Sequence, residues 1–145
     1  LPVPLIWWVA VASVVTLVVL LVVTAVRRVL GASRPPLPAS GWALAVVLTG
    51  VAAGWLPWLL YPERTTFFFY TIVITPFLVL ALTIVLSTAL GPTSAGSDRR
   101  LLGAALVIGF VAVAIVLSVF FMPLWTGLPV DIGFIRLHYW LPSWI

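Results

Sequence analysis

The sequence predicts an all-α polytopic membrane protein, and three observations lead to that prediction. Only 7% of the residues are charged, whereas a soluble domain has about 25%. The mean hydropathy is +1.32. Every charged residue lies outside four long apolar stretches. Such a chain has too few polar residues to cover a water-facing surface, and each stretch is long enough to cross a bilayer.

We therefore expect four transmembrane helices, at Leu5–Val26, Gly41–Tyr61, Phe67–Leu90 and Leu101–Phe121. A hydrocarbon core of about 30 Å requires about 20 helical residues. Strands of a membrane barrel are about ten residues long and alternate in polarity, which these stretches do not. The connecting segments are too short to hold a soluble domain, so residues 1–145 are expected to form a single membrane unit. Because the chain starts at Leu1 and shows no signal-peptide features, we expect a piece of a longer protein.

The first two predicted helices have distinct ends. Trp7 and Trp8 would anchor the start of the first helix at a membrane interface, and Arg27 and Arg28 follow its last apolar residue. A proline-rich loop then leads to Ser40. Serine is a favourable N-cap residue because its hydroxyl accepts a hydrogen bond from an unpaired amide of the first turn. We expect Ser40 to cap the second helix.

The second predicted helix contains two glycines and a late proline. Gly50 and Gly54 have the four-residue spacing that lets a neighbouring helix approach closely. Pro57 is expected to kink or end the helix because it lacks a backbone N–H. The second membrane interface is marked by an aromatic cluster, namely Trp55, Trp58 and Tyr61.

The third predicted helix follows after only residues 62–66, so it should form an antiparallel hairpin with the second. Pro76 in its first half removes one backbone hydrogen bond. We expect neighbouring helices or the hydroxyls of Thr71 and Thr75 to offset that loss.

The last segment, residues 122–145, differs from the four spans. It holds Asp131, Arg136 and His138 among aromatic residues, and Gly and Pro interrupt it. We expect an aromatic tail at the membrane surface, with a short amphipathic turn near Phe134–Leu141.

The distribution of arginines predicts the orientation. Arg64 and Arg136 fall on one side of the membrane, and the other five fall opposite: Arg27, Arg28, Arg34, Arg99 and Arg100. Because short cytoplasmic loops are enriched in basic residues, we expect those five to be cytoplasmic. Arg64 and the tail would then be extracytoplasmic in a multi-pass protein of the cell (plasma) membrane.

Several functional classes are disfavoured by composition. The chain has no cysteine and one histidine, and its acids Glu63, Asp98 and Asp131 are scattered, so neither a metal site nor a cofactor is expected. No span contains an ionisable residue, which disfavours an ion channel or carrier. The net charge of +4 is explained by topology, so nucleic acid is not an expected partner.

Arg64 is the charge most suited to ligand binding. It lies beside Glu63 at the start of the third predicted helix, ahead of Thr65 and Thr66. A helix N-terminus together with a guanidinium can hold a phosphate. The alternative is an interfacial arginine that reaches lipid headgroups or pairs with Glu63. Both interpretations stay open on the residues alone.

Two regions resemble the C-terminal four-helix membrane region of bacterial protein O-mannosyltransferases. The first comprises residues 55–58 (WLPW) and 63–70 (ERTTFFFY), with Pro76 shortly after. The second is the closing segment, residues 136–145 (RLHYWLPSWI).

This resemblance implies a glycosyltransferase that transfers mannose from a polyprenyl-phosphate carrier to Ser or Thr hydroxyls of proteins on the outer face of the membrane. The family's acidic catalytic pair lies near the N-terminus of the whole protein, so we expect no catalytic residue in this piece. The implied partners are the bilayer, the lipid donor, acceptor proteins and the N-terminal catalytic part of the same protein. Arg64 is then the expected contact of the carrier phosphate, with Arg136 and His138 as secondary candidates for substrate binding.

An interpretation from a different class is a stand-alone four-span scaffold or accessory subunit that binds partner helices. The paired small residues Gly50 and Gly54 suit both interpretations. More spans and an outward acidic loop upstream of this sequence would favour the transferase.

Overall fold

The computed structural model describes residues 3–33, 35–60, 63 and 68–140. Within these residues all regular secondary structure is helical, which confirms the all-α prediction. The elements are α1 (Pro4–Val29), α2 (Gly41–Leu59), the 3₁₀ helix η1 (Phe68–Val73), α3 (Thr75–Leu90), α4 (Ser97–Trp125) and α5 (Ile132–Arg136).

Three of these helices, α1, α2 and α4, are long and apolar enough to cross a membrane. The third predicted span, Phe67–Leu90, differs from the expected single helix. The 16 residues of α3 rise about 24 Å at about 1.5 Å per residue, less than the hydrocarbon core of about 30 Å. The chain before α3 is the 3₁₀ helix η1, and the two meet at Ile74. Pro76 favours the break, because proline has no N–H and its ring crowds the carbonyl four residues earlier.

The ends of α1 and α4 lie beyond the predicted ones. α1 continues three residues past Val26, and α4 begins at Ser97 and ends at Trp125 instead of Leu101 and Phe121. The prediction followed the apolar residues, which indicate only the part of a helix that lies in lipid. Both helices also include charged residues at the arginine end, which that prediction left out. Conversely, α2 ends at Leu59, two residues after Pro57, as expected from that proline. Tyr61 lies outside the described residues.

α3 lies at the centre of the bundle and contacts α1, α2 and α4. Ala10 of α1 packs with Leu78 of α3, and Leu17 packs with Ala81, so α1 and α3 run in the same direction. α2 runs oppositely, because its Val47 belongs to the cluster around Leu17 and its Val51 to the one around Ala10. Most other apolar side chains of the long helices point outward, as expected for helices that face lipid.

The two glycines of α2 admit α3, which confirms the predicted close approach. A methyl group at Gly50 would overlap the ring of Phe77, and one at Gly54 would overlap Ile74 Cγ2. The predicted cap of α2 is also present, since Ser40 Oγ accepts from Ala43 N at 3.2 Å.

Hydroxyl groups inside the helices bond to carbonyl oxygens of their own helix. Thr75 Oγ1 donates to Thr71 O at 3.0 Å; the carbonyl that loses its amide partner at Pro76 is that of Ile72, so the compensation expected there stays a prediction. Ser13 is buried and donates to Val9 O at 2.7 Å. In lipid such internal bonds avoid the cost of an unpaired hydroxyl. The same bond occurs at Thr16, Thr24, Thr83 and Ser118.

The helix directions give the bundle two ends. The arginine end is where α1 and α3 end and α2 and α4 begin; the arginines described there are Arg27, Arg28, Arg99 and Arg100. The aromatic end is the opposite one, with Trp7, Trp8, Trp55, Trp58, Trp125 and the segment that follows α4. Arg34 lies outside the described residues.

Candidate functional site

The position of the predicted phosphate contact is defined only by its flanks. Arg64, Thr65 and Thr66 lie outside the described residues, whereas Glu63 is exposed in a turn. α2 ends at Leu59 and η1 begins at Phe68, so this connection belongs to the aromatic end. The contact between Arg64 and a phosphate stays a prediction.

An open apolar groove runs along α2 toward this connection. Leu48 and Ala52 line its beginning and Leu60 its end, four positions before Arg64. Its other lining residues are Thr49, Ala53, Leu56, Pro57 and Leu59. A surface of this kind suits hydrocarbon chains, because nearly all of its atoms are apolar.

The polar site that the structure defines best surrounds His138, also at the aromatic end. After α4 the chain turns back at Gly127, whose φ of +66° favours glycine. Asp131 then caps the short helix α5, and its Oδ2 accepts from Gly133 N at 2.7 Å. These turns bring His138 against the last part of α4.

Both ring nitrogens of His138 face backbone carbonyl oxygens. Nδ1 lies 2.7 Å from Phe134 O in α5, and Nε2 lies 2.9 Å from Phe120 O in α4. The side chain is completely buried. The ring therefore joins the segment after α4 to α4 itself across 18 positions of sequence.

Aromatic rings enclose the imidazole. The ring of Phe120 stacks on it with centroids 4.0 Å apart and planes 12° apart. Phe121 meets its edge at 4.8 Å, and Phe134 lies 4.5 Å away at an angle of 49°. Trp140 closes the cluster against Phe121 at 5.5 Å. We call these five residues, Phe120, Phe121, Phe134, His138 and Trp140, the histidine cluster.

The secondary candidates occupy different environments. Arg136 is the last residue of α5 and is exposed. His138 is enclosed, and both of its nitrogens have backbone partners. Substrate binding by either residue stays a prediction.

The predicted amphipathic turn near Phe134–Leu141 begins earlier than expected, with α5 at Ile132. Leu141 and the four residues after it lie outside the described residues. The tail was expected to lie at the membrane surface. The structure also packs it on α4 through the buried side chain of His138. Its partners are backbone carbonyls, which have no distinguishing signature in a sequence.

The arginine end contains a second polar contact that the sequence did not reveal. Arg99 Nη1 donates to Ala89 O at 2.7 Å, and its Nη2 donates to Thr88 O at 3.4 Å. These carbonyls belong to the last turn of α3, where helix geometry leaves them without amide partners. Beside them, Gly103 lets α4 meet the backbone of Leu90 so closely that a methyl group there would lie 2.7 Å from Leu90 O.

The acids of the chain are separated in sequence, and each has a different environment. Asp131 caps α5, and Asp98 accepts from Ser97 Oγ at 3.2 Å in the first turn of α4. Glu63 is exposed between α2 and η1. Across the described ranges, the structure contains no cluster of His, Cys, Asp and Glu that could hold a metal ion.

Together these features define a class of protein: a multi-pass membrane unit with a central short helix and one end organised by aromatic side chains. The chain matches the family described as the "C-terminal four TMM region of protein-O-mannosyltransferase" over residues 1–144. It therefore belongs to that family, and the resemblance inferred from its motifs is confirmed.

Relatives with assigned names agree with this membership. The chain is 42% identical over 103 residues to the polyprenol-phosphate-mannose–protein mannosyltransferase of Mycobacterium tuberculosis, which covers 71% of the chain and 20% of that relative. The proteins of the same name from Mycolicibacterium smegmatis and Corynebacterium glutamicum are 40% identical over 103 residues and 28% identical over 99 residues. They match 71% and 68% of the chain, and 20% and 19% of their own lengths, respectively. The chain thus spans about one fifth of the length of the curated relatives it matches. No solved structure matches it.

Proposed function

We propose that this chain is the C-terminal membrane region of an enzyme that transfers mannose from a polyprenyl-phosphate carrier to Ser or Thr hydroxyls of proteins on the outer face of the plasma membrane. The observation that carries this proposal is the family match over residues 1–144. The relatives' names specify polyprenol-phosphate-mannose as the donor and protein as the acceptor.

In this proposal the catalytic acids belong to another part of the protein. The positions of Asp98 and Asp131 support it, because one lies at the arginine end and the other caps α5 at the aromatic end. General acid–base chemistry requires groups within hydrogen-bond reach of one substrate, and these two acids do not share such a place. Glu63 lies at the same end as Asp131, but Asp131 is engaged in capping α5. The membrane region would instead hold the lipid donor and the catalytic part in register.

The proposed orientation has the arginine end in the cytoplasm and the aromatic end outside. The helix directions support it, since Arg27 and Arg99 lie at the same end of the bundle and basic residues favour the cytoplasmic side. The chain has no cysteine, so Glu63→Cys and Ser94→Cys are suitable single labelling sites in the full-length protein with any other cysteines replaced. We expect an impermeant maleimide to label Glu63→Cys in intact cells and to label Ser94→Cys only after permeabilisation. The reverse pattern would overturn the orientation.

Arg64 is proposed to contact the carrier phosphate from the aromatic end. The apolar groove along α2 supports this role, because it ends at Leu60 and offers a surface for the hydrocarbon chain of a lipid whose phosphate lies beside Arg64. Arg136 and His138 are secondary candidates at the same end. A guanidinium suits a phosphate because its donors match two oxygens at once.

The test uses Arg64→Ala, Arg64→Lys and the matched control Arg100→Ala in the full-length enzyme. A lost charged hydrogen bond costs about 1.5–3 kcal/mol, so we expect the KM for the lipid donor to rise about tenfold or more in Arg64→Ala. Arg64→Lys should be affected less, because the charge remains, and Arg100→Ala should match the parent. An unchanged KM and kcat in Arg64→Ala would overturn the role of Arg64.

The proposal competes with a stand-alone scaffold or accessory subunit that binds partner helices. Purified full-length protein should transfer mannose from polyprenyl-phosphate-mannose to a Ser- and Thr-containing acceptor peptide in liposomes. Absence of transfer by folded protein, together with restored transfer on adding a separate enzyme, would favour the scaffold.

A further inference from the structure

The segment after α4 is attached through one side chain whose two nitrogens both face acceptors. We infer that His138 is a doubly protonated imidazolium that latches residues 131–140 onto α4, and that the latch opens as the pH rises. This inference concerns a conformational device and does not depend on the transfer activity.

The two hydrogen bonds carry the argument. A carbonyl oxygen accepts hydrogen bonds and cannot donate them, whereas a neutral imidazole has one N–H and one lone pair. In either neutral tautomer a lone pair would face a carbonyl oxygen, at 2.7 Å toward Phe134 or at 2.9 Å toward Phe120. Such a contact is repulsive. Only the imidazolium donates to both oxygens.

The surroundings suit a cation although they are apolar. The ring of Phe120 lies parallel to the imidazole at 4.0 Å, within the range of a cation–π interaction. Phe120 is also close to the C-terminal end of α4, where the partial negative charge of the helix favours a cation. Two carbonyl dipoles point at the ring from opposite sides. These groups replace part of the hydration that burial removes.

Among the described residues, the hydrogen-bond and ring partners of the imidazole include no other charged or titratable group, and Glu63 at the same end is exposed in its turn. The charged and titratable groups on the segment after α4 are Asp131, Arg136 and Tyr139, all of them exposed, and Asp131 is engaged with Gly133 N. Those on α4 are Asp98, Arg99 and Arg100, which lie at its opposite end. Within the described residues no carboxylate contacts the imidazole. His138 is therefore the group whose protonation state changes the contact between this segment and α4.

The direction of the pH dependence follows from linkage. The docked segment holds a proton that the undocked segment releases at neutral or alkaline pH, so acid favours docking and a rise in pH weakens it. The measurement therefore compares two pH values on either side of the range in which histidines generally change charge, about pH 5 to about pH 8. In the proposed orientation, which rests on the proposed function, this end faces the external medium.

One experiment observes the proton directly. The full-length protein, labelled with ¹⁵N-histidine and reconstituted in nanodiscs, is compared with His138→Gln at about pH 5.5, so that the difference spectrum isolates this ring. We expect both nitrogens of His138 to show the shifts of protonated nitrogens. The shifts of a neutral tautomer would overturn the inference, whether or not the protein transfers mannose.

A second experiment follows the latch. Spin labels at Ile115→Cys in α4 and Leu137→Cys, both exposed positions, report the distance between α4 and the segment in a background without other cysteines. The parent should give one narrow distance near pH 5.5 and lose most of it by about pH 8.5. His138→Phe keeps an aromatic ring but no donor, and should give the broad distribution at both pH values.

Two results in that experiment would contradict the latch. One is a narrow distance that does not change between the two pH values in the parent. The other is a His138→Phe protein with the same pH response as the parent, since the response would then belong to another group. Neither readout uses the transfer reaction, so a failed latch and a failed proposed function are distinguished.

Discussion

The two ends of the bundle solve similar problems with different donors. At the arginine end, Arg99 donates to carbonyl oxygens of the last turn of α3. At the aromatic end, His138 reaches Phe120 O near the end of α4. The guanidinium is charged at every pH that a cell meets, whereas an imidazole titrates. The arginine end is therefore held by a permanent charge, and the aromatic end by the ring that we infer to be protonated when the segment is docked.

The backbone approach at Gly103 is expected to give the largest effect. In Gly103→Ala the added methyl group would overlap Ala89 O and lie 2.7 Å from Leu90 O and 2.9 Å from Leu90 Cα. Backbone atoms cannot rotate away as a side chain does, so we expect a loss of about 3 kcal/mol in stability. Thermal unfolding of the full-length protein in detergent measures the loss.

The matched control for that variant is Gly109→Ala, on the same helix. A methyl group there meets nothing within 4 Å, and alanine is the better helix former by about 0.5–1 kcal/mol. Its unfolding temperature should equal or exceed that of the parent. Equal effects of the two substitutions would show that close packing at the arginine end does not hold α3 to α4.

The next largest effect is expected at the aromatic end. His138→Phe leaves the carbonyls of Phe120 and Phe134 without the ring's donors, at a cost of about 2 kcal/mol. In the parent protein the amides of Leu137 and Tyr139 donate to Gly133 O and Arg136 O, respectively. We expect faster hydrogen exchange at these two amides in the variant. The control Tyr139→Phe changes an exposed side chain and should leave exchange unaltered. Unchanged exchange in both variants would mean that the segment docks without the ring.

A smaller effect is expected from Arg99→Met, which keeps an unbranched stem and removes the guanidinium. The two hydrogen bonds are exposed, so we expect a loss of about 1 kcal/mol, unchanged between about pH 5 and about pH 8. Arg100→Met is the control, and it should be nearly neutral. Chemical unfolding at several pH values would separate this constant loss from the pH-dependent behaviour of the His138 latch.

The smallest effect is expected at the cap of α2. Ser40→Ala removes the acceptor of Ala43 N, and because the site is exposed we expect about 0.5 kcal/mol. Ser40→Gly should cost less, only about a few tenths of 1 kcal/mol, since glycine also suits the N-cap position. A loss in Ser40→Ala equal to that in Gly103→Ala would mean that the arginine end depends on the cap as much as on packing.

Local chemistry made several elements of the fold predictable. Ser40 caps α2 because its hydroxyl and the amide it serves are close in sequence. Gly50 and Gly54 were predicted to admit a neighbouring helix, and α3 is that neighbour. In each case the interacting groups are separated by few residues or follow a helical repeat.

The contacts that escaped prediction join distant groups through backbone oxygens. Arg99 was interpreted only as a topology signal. Its guanidinium in fact donates to Ala89 O, which is ten residues away in sequence. His138 reaches Phe120 O across 18 residues. Every residue offers the same backbone carbonyl whatever its side chain, so no residue type identifies such a partner. The ends of α1 and α4 were also misjudged. Apolar residues stop near the edge of the lipid, whereas these helices continue beyond it.

The 3₁₀ geometry before α3 changes how far the third span reaches. Six residues of η1 at about 2.0 Å each give about 12 Å, whereas the same residues wound as α-helix would give about 9 Å. The break beside Pro76 therefore lengthens the span by about 3 Å along its axis. A helix that is too short to cross the hydrocarbon core alone gains reach from the tighter coil in front of it.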